Sequence, residues 1–155
     1  MAKHIVAIAL GSNLDSSFGD RAANLRVAQR RLDELGDLIA VSSFYDTEPV
    51  DYLDQPRFLN GAATLETALE PEALLQKLLE IEQTMGRERL IAKGPRVIDL
   101  DLLLYDDRVM NTAELTLPHP EMHTRRFVLE PLAEIAPSWV HPVLHRSVAD
   151  LLGDL

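Results

Sequence analysis

The predicted fold and the predicted functional site share one stretch of sequence, GPRVIDLDLLLY at residues 94–105. Its apolar run is typical of a buried strand, and two carboxylates, Asp99 and Asp101, interrupt it. Because successive strand side chains point to opposite faces, both carboxylates are expected on one face, about 6.6 Å apart along the strand. The opposite face is expected to be core, lined by Ile98, Leu100, Leu102 and Leu104.

The close spacing of these two carboxylates predicts a cation between them. At an effective dielectric of about 20, two such charges repel by roughly 2.5 kcal/mol. A divalent metal ion is the simplest group that offsets this repulsion. The alternative interpretation is a half-exposed strand whose two acids are solvated on its wet face.

Positive charge is concentrated just before this strand, in a chain that is otherwise acidic, at Arg87, Arg89, Lys93 and Arg96. Guanidinium groups match phosphate oxygens two at a time, so bases beside metal-holding acids indicate a polyphosphate site. The sequence contains neither G-x-x-x-x-G-K-[ST] nor G-x-G-x-x-G, so a bound nucleotide would depend on metal and arginine. The alternative for the basic segment is a solvated loop that balances nearby acids.

Composition restricts the function classes further. The chain has 155 residues, 46% of them hydrophobic, which is enough for one domain, residues 1–155, with a substantial core. A net charge of −10 argues against nonspecific binding of nucleic acid or an anionic membrane. The sequence has no cysteine, which excludes disulfides and thiolate metal sites, and no apolar run long enough to span a membrane. We therefore expect a cytoplasmic protein.

Hydrophobic periodicity predicts the order strand, helix, strand, strand, helix, strand, at Ile5–Leu10, Asp20–Leu35, Ile39–Tyr45, Phe58–Leu65, Pro71–Gly86 and Ile98–Tyr105. This order predicts an α+β, ferredoxin-like βαββαβ fold in which both helices cover one face of an antiparallel sheet. The other face, or its edge, is then left for loops and a ligand. Short C-terminal helices are expected at Thr124–Ile135 and Val148–Leu152. The loops at 46–57 and 86–97 are long enough to act as lids.

Four further side chains are candidates for ligand contacts, each with a structural alternative. Asn60 lies in an apolar strand, where it either pairs with Asn13 in the preceding turn or recognises the amide-like edge of a ligand. Phe58 and Phe127 are able to sandwich a flat heterocycle, or to pack in the core. His119 stands between two prolines and either donates to a phosphate oxygen or simply belongs to a turn. The segment around Asn13 is itself interpreted as a plain turn.

Several segments, in this order along the chain, resemble one family: ALGSNL (9–14), VSSFY (41–45), FLNGA (58–62), MGR (85–87), GPRVIDLD (94–101) and LPHP (117–120). The family is 6-hydroxymethyl-7,8-dihydropterin pyrophosphokinase of folate biosynthesis. The GPRxxDxD segment is highly specific and the others support it, as does RRFVLEPL at 125–132. The resemblance covers nearly the whole chain.

The resemblance implies a ferredoxin-like fold and a reaction in which the β,γ-diphosphate of ATP passes to the pterin hydroxymethyl oxygen, leaving AMP. It implies two Mg²⁺ ions held by Asp99 and Asp101, with Arg89 and Arg96 assisting Asp99 in catalysis. Contacts to ATP are expected from Glu82, Arg89, Lys93, Arg96, Thr116, His119 and Arg125. Contacts to the pterin are expected from Thr47, Phe58, Asn60 and Phe127.

Three positions depart from the family pattern. Phe58 stands where many relatives have Tyr, and Ala92 and Lys93 replace the usual basic residue and Trp before Gly94. Glu114 stands where some members have Arg. Two rival functions remain open: a ferredoxin-like sensor that binds a nucleotide or metal without turnover, and a Mg²⁺-dependent phosphohydrolase. For the favoured function we expect small-molecule partners, ATP and the pterin, no nucleic acid or membrane, and a monomer.

Overall fold

The structure, a computed structural model, describes residues 3–48, 56–86 and 96–155. Its strands are β1 (His4–Ser12), β2 (Asp37–Val41), β3 (Tyr45–Thr47), β4 (Phe58–Thr67), β5 (Asp99–Tyr105), β6 (Met110–Asn111) and β7 (Thr116–Leu117). Its helices are α1 (Arg21–Leu32), α2 (Pro71–Thr84), α3 (Arg126–Ile135) and α4 (Val148–Gly153). Short 3₁₀ turns lie at Asp33–Leu35 and Met122–Thr124.

The main sheet is antiparallel, with the strand order β2-β4-β1-β5, and β3 also pairs with β4. The long central pair β1 and β4 runs from His4 opposite Thr67 to Ser12 opposite Leu59. With α1 and α2 in their places along the chain, this is the predicted ferredoxin-like arrangement, and that prediction is confirmed. Of the helices in the described ranges, none has the length and apolar composition needed to cross a membrane.

One face of the sheet packs against α1 and α2 through large aliphatic side chains, among them Val6, Ile8, Leu10, Leu25, Leu65, Leu74, Leu78 and Leu100. The helices begin where the sequence predicts. Asp20 caps α1, accepting the Ala23 backbone N–H at 2.9 Å, and Pro71 occupies the first position of α2. We call this layer the helix-face core.

The second face of the sheet differs from the prediction, which left it to loops and a ligand. Helices α3 and α4 cover part of it and build a second core with small strand residues, Ala7 and Ala62, and with Leu103 and Leu104. Because β1 carries Ala7, Ala9 and Gly11 on this face, there is room for a helix at one end and an open space at the other.

A β-bulge in β5 changes which face of the sheet its last side chains point to, so the predicted alternation is wrong beyond the bulge. Ala7 pairs with Leu104 while the next residue, Ile8, pairs with Leu102, so Leu103 is an extra residue in β5. Leu100 and Leu102 lie in the helix-face core as predicted, but Leu104 lies in the second core, beyond the bulge. The bulge leaves the spacing of Asp99 and Asp101 unchanged, because both precede it.

The predicted strand Ile39–Tyr45 is in fact two short strands. β2 ends at Val41, and β3 begins at Tyr45. Between them Ser42 breaks the regular ladder, since its hydroxyl accepts the backbone N–H of Ala62 at 2.8 Å. β3 therefore forms a separate edge segment beside the start of β4, and this segment carries Thr47 to the ligand-facing side.

Candidate active site

A cavity of about 510 Å³ opens at the end of the sheet where β1 and β4 meet β5. It reaches from the second face round β5 to helix α2. Most of the predicted site residues line it: Thr47, Phe58, Asn60, Glu82, Arg96, Asp99, Asp101, His119, Arg125 and Phe127. Residues that were not predicted as ligand contacts complete the lining, among them Ala9, Gly11, Leu75, Leu79 and Glu121.

Of the predicted nucleotide contacts that the structure describes, Thr116 is not among the residues that line this cavity. Thr116 lies in β7, which pairs with β6 in a separate two-stranded sheet. Arg89 and Lys93 lie outside the described residues, as does Ala92. The basic segment is therefore represented in the described structure by Arg96 alone.

Asp99 and Asp101 both line the cavity, as strand alternation predicts. Asp99 pairs with Gly11 and Asp101 with Ala9, so the neighbouring strand places only small residues beside the carboxylates. The pKa of Asp101 is raised to about 7, first by burial and then by the negative charges of Asp99 and Glu82. Asp101 thus lies where a negative charge is unfavourable unless a cation compensates it.

Glu82 adds a third carboxylate to the same region. Glu82 is 3% exposed, and its carboxylate accepts the backbone N–H of Leu100 at 2.8 Å. Leu100 lies between the two aspartates in the chain, so this hydrogen bond ties α2 to the centre of the acidic strand. Its charge also contributes to the raised pKa of Asp101.

Arg96 is a buried cation that pairs with one of these carboxylates. It is 9% exposed, and its Nη1 donates to Asp99 Oδ2 at 2.9 Å. Its Nε is buried and has no hydrogen-bond partner among the described residues. A buried N–H donor without a partner is costly, so an oxyanion in the cavity would satisfy it.

Asn13, interpreted from the sequence as part of a plain turn, is a buried anchor of the site. The side-chain oxygen of Asn13 accepts the Arg96 backbone N–H at 2.7 Å. The backbone N–H of Asn13 donates to the Arg96 carbonyl at 3.0 Å. Its Nδ2 donates to the Pro56 carbonyl at 3.1 Å. Asn13 therefore joins the chain just before β4 to the chain just before β5. The only sequence signal was a polar amide directly after an apolar strand.

His119 is fixed by the backbone around it. Its N–H donates to the carbonyl of the bulged Leu103 at 2.9 Å, and its Nδ1 accepts the Glu121 N–H at 3.2 Å. Because Nδ1 accepts, the ring proton of the neutral form is on Nε2. Desolvation lowers the pKa of His119, and the charge of Arg125 lowers it further, which favours that neutral form.

Arg125 stands at the start of α3 and links the polar and aromatic parts of the cavity. Its guanidinium donates to Glu121 and lies 5.5 Å from the centre of the Phe127 ring. Glu121 is a partner that was not predicted, although it lies only four residues before Arg125, on the other side of the 3₁₀ turn Met122–Thr124. We call Arg96, Asp99, Asp101, His119 and Arg125 the charged wall.

Four further residues that line the cavity, Thr47, Phe58, Asn60 and Phe127, are here called the flat wall. Thr47 pairs with Phe58 across β3 and β4, and Asn60 donates to the Thr47 hydroxyl. Of the two alternatives predicted for Asn60, the pairing with Asn13 is therefore not observed. Gly11 allows this arrangement, because a Cβ atom there would come within 3.2 Å of Asn60 Oδ1 and 3.6 Å of Phe58.

The donor set suits a magnesium ion that is shared with a ligand. Within residues 3–48, 56–86 and 96–155, no three His, Cys, Asp or Glu side chains are arranged to hold a metal by themselves. Asp99 and Asp101 would supply carboxylate oxygens to such an ion, and other oxygens would fill its remaining positions. Mg²⁺ characteristically binds through one or two carboxylates together with waters and substrate phosphates.

Comparison with known proteins places the chain in a family. The profile described as 7,8-dihydro-6-hydroxymethylpterin-pyrophosphokinase (HPPK) matches residues 7–137. The 2-amino-4-hydroxy-6-hydroxymethyldihydropteridine pyrophosphokinase of Bacillus subtilis is 46% identical over 134 residues, 85% of this chain and 78% of that protein. The enzyme of the same name from Haemophilus influenzae is 42% identical over 137 residues, covering 87% and 83%.

Some relatives are much longer than this chain. The folic acid synthesis protein fol1 of Schizosaccharomyces pombe is 41% identical over 97% of this chain, which spans only 20% of that protein. Among solved structures, an HPPK-DHPS of Plasmodium falciparum has the same fold, with a TM-score of 0.79 at 17% identity, covering 99% of this chain and 45% of that one. The profile match and the identities together show that the chain belongs to the 7,8-dihydro-6-hydroxymethylpterin-pyrophosphokinase family.

Proposed function

We propose that this chain transfers the β,γ-diphosphate of ATP to the hydroxymethyl group of 6-hydroxymethyl-7,8-dihydropterin, giving the pterin diphosphate and AMP in folate biosynthesis. The observation that carries the proposal is that one cavity joins the charged wall to the flat wall. A polyphosphate and a planar heterocycle would then lie side by side, with the groups to be joined between them. Membership of the pyrophosphokinase family supports the same reaction.

Asp99 and Asp101 would hold two Mg²⁺ ions in this reaction. When bound, Mg²⁺ neutralises charge on the triphosphate and aligns the attacking and leaving oxygens. The two carboxylates contribute the negative charge that attracts the ions, and Glu82 keeps the strand between them in place through Leu100. Asp99, which is held by Arg96, is also proposed to lie near the attacking hydroxyl.

The cationic side chains of the charged wall would bind and orient the triphosphate. Arg96 offers a buried Nε–H without a partner among the described residues, and His119 offers its Nε2–H. Arg125 extends this positive edge towards Phe127. Roles for Arg89, Lys93 and Thr116 in binding ATP, with Arg89 also in catalysis, remain part of the proposal.

The flat wall would bind the pterin and exclude water from it. Phe58 and Phe127 are proposed to stack on the two faces of the ring system, and Asn60 and Thr47 to hydrogen-bond its edge. Phe58 keeps the stacking surface although it lacks a tyrosine hydroxyl. Excluding water matters because water would compete with the pterin hydroxyl as the nucleophile.

We also propose that the protein works as a monomer in the cytoplasm, on small molecules only. The absence of cysteine and the net charge of −10 support this assignment, because neither favours an oxidising compartment or an anionic polymer. Size-exclusion chromatography with light scattering at micromolar concentration tests the monomer, and a dimer mass would overturn that part.

The decisive experiment follows AMP, orthophosphate and pterin diphosphate with time after ATP and reduced hydroxymethylpterin are mixed with the protein and Mg²⁺. We expect AMP and pterin diphosphate in equal amounts, and no AMP after chelation of the metal. Binding of ATP without turnover would favour the sensor, whereas orthophosphate release without pterin would favour the phosphohydrolase. Either result would overturn the proposal.

A further inference from the structure

A network of ion pairs lies directly behind the flat wall, on the opposite side of the strands. The Asp46 carboxylate accepts from Arg21 Nη2 at 3.0 Å and from Arg57 Nε at 2.9 Å. Arg57 Nη2 also donates to the Asp46 carbonyl at 3.1 Å, and Arg21 Nη1 to the Arg57 carbonyl at 2.8 Å. Arg57 Nη1 also pairs with Glu48 Oε1 at 3.4 Å, and Glu48 lines the cavity, so side chains and backbone form one connected set of contacts.

Strand alternation connects this network to the cavity. Asp46 pairs with Leu59, which packs against the helix-face core, so Asp46 lies on that side of the sheet. The next residues in the chain, Thr47 after Asp46 and Phe58 after Arg57, pair with each other and line the cavity. Contacts on the helix face thereby fix the backbone that carries two members of the flat wall.

β3 needs such an anchor because it is short. It comprises Tyr45–Thr47 and pairs with β4 alone among the described strands. Arg21, the first residue of α1, ties its end to the helix layer. The pKa of Asp46 is lowered by the hydrogen bonds from Arg21 and then from Arg57, in agreement with a carboxylate that stays ionised in this network.

We propose that Asp46, together with Arg21 and Arg57, is a positioning residue that sets where Thr47 and Phe58 stand and so controls affinity for the flat heterocycle. The inference rests on the proposed function and names a determinant of its pterin side. None of the three side chains is assigned a contact with a reacting group. The network therefore acts through β3 and the start of β4.

The test compares Asp46→Ala and Asp46→Glu with the control Asp37→Asn. Asp37 is an exposed residue of edge strand β2 and pairs with Lys3. For Asp46→Ala we expect the pterin KM to rise roughly fivefold while the ATP KM stays within about twofold, because only one wall is displaced. Asp46→Glu keeps a carboxylate within reach of both arginines and should restore most of the pterin affinity. Asp37→Asn should change neither constant.

A second measurement does not depend on turnover. In ¹⁵N-resolved NMR spectra, Asp46→Ala should shift the side-chain amide signals of Asn60 and the backbone amides of Thr47 and Phe58, and Asp37→Asn should leave them in place. Equal increases in both KM values, or unmoved Asn60, Thr47 and Phe58 signals, would overturn the positioning role. A wild-type protein that forms no AMP would instead overturn the proposed function, and the NMR comparison would still decide the role of the network.

Discussion

The charged wall and the flat wall are stabilised by different kinds of contact. Arg96, Asn13 and Glu82 are buried. Arg96 and Glu82 hydrogen-bond to the acidic strand at Asp99 and Leu100, and Asn13 holds the backbone of Arg96. Behind the flat wall lies a more exposed ion-pair network around Asp46, and beside it the small residue Gly11 provides space. Buried charges need an oppositely charged group, here a ligand, to offset their desolvation cost. A stacking surface instead contributes binding free energy in proportion to its contact area. Substitutions in the charged wall should therefore have the larger effects.

The largest effect is expected at the acidic pair. Asp99→Asn and Asp101→Asn should each reduce AMP formation by roughly a thousandfold or more, because each removes a preorganised charge from the reacting centre. The fold should persist, since Asn is nearly isosteric and relieves like-charge repulsion. Initial rates of AMP release and the far-ultraviolet circular dichroism of the variants provide the measurement.

The control is Asp107→Asn, in the exposed turn that follows β5, which should leave the rate unchanged. Full activity of either cavity variant in Mg²⁺ would contradict the proposed metal-binding role of that aspartate. It would also contradict the expectation that substitutions in the charged wall have larger effects than those in the flat wall.

The next effect concerns the flat wall. Phe127→Leu and Phe127→Ala should raise the pterin KM about tenfold or more, as expected for roughly 1–3 kcal/mol of ring stacking, with a smaller change in the ATP KM. The leucine variant keeps apolar bulk in the second core, so it separates stacking from stability. Phe18→Ala removes a 39% exposed ring outside the cavity and serves as the control. Equal changes in both KM values would argue against stacking by Phe127.

A smaller effect is expected where β1 passes between the two walls. Gly11→Ala would place a methyl group 3.2 Å from Asn60 Oδ1, so the amide must move. We expect the pterin KM to rise about fivefold, the scale of a roughly 1 kcal/mol packing cost. Gly153→Ala is the matched control, because nothing lies within 4 Å of a Cβ atom there. Unchanged pterin affinity would show that the space at Gly11 is not needed.

The smallest effect is on stability rather than turnover. The folded state lowers the pKa of His119 below its ordinary value of 6.5, first by desolvation and then by the charge of Arg125. Neutral His119 thus contributes stability that is present above pH 6.5 and lost as the pH falls through the folded-state pKa.

Thermal midpoints measured between pH 8 and pH 5 test this dependence. The wild type should lose more on acidification than His119→Gln, which cannot titrate. A parallel decline in wild type and His119→Gln would show that His119 does not contribute.

Much of the fold was predictable because its elements have strong local signals. The apolar run of β1, the proline that opens α2 and the alternating acids of β5 each predict their element, and the order of elements predicts the sheet. The bulge at Leu103 was not predictable, since leucine occupies consecutive positions and either phase of the strand buries leucine. The two C-terminal helices were predicted, but their place on the second face was not. That place follows from packing against Ala7 and Ala62, which carry no periodic signal of their own.

The candidate site shows the same division. Residue type alone predicted lining residues where that type is unusual, such as Asp99 in an apolar strand or His119 between prolines. Thr47, Glu82 and Arg125 were expected only from the family resemblance. Asn13 was missed because its partners, Pro56 and Arg96, lie 43 and 83 residues away, and a Gly-Ser-Asn segment is typical of an ordinary turn. Its importance comes from tertiary contacts that no local pattern contains.

The cavity borders both hydrophobic layers, with Leu10 and Leu100 belonging to one and Phe127 and Val128 to the other. A molecule bound there would contact both layers at once, and it would bind only when both are assembled. Ligand binding would therefore increase the free energy needed to open either layer by the same linkage. Amide hydrogen exchange in α2 and in α3 would slow together, although these helices lie on opposite sides of the sheet.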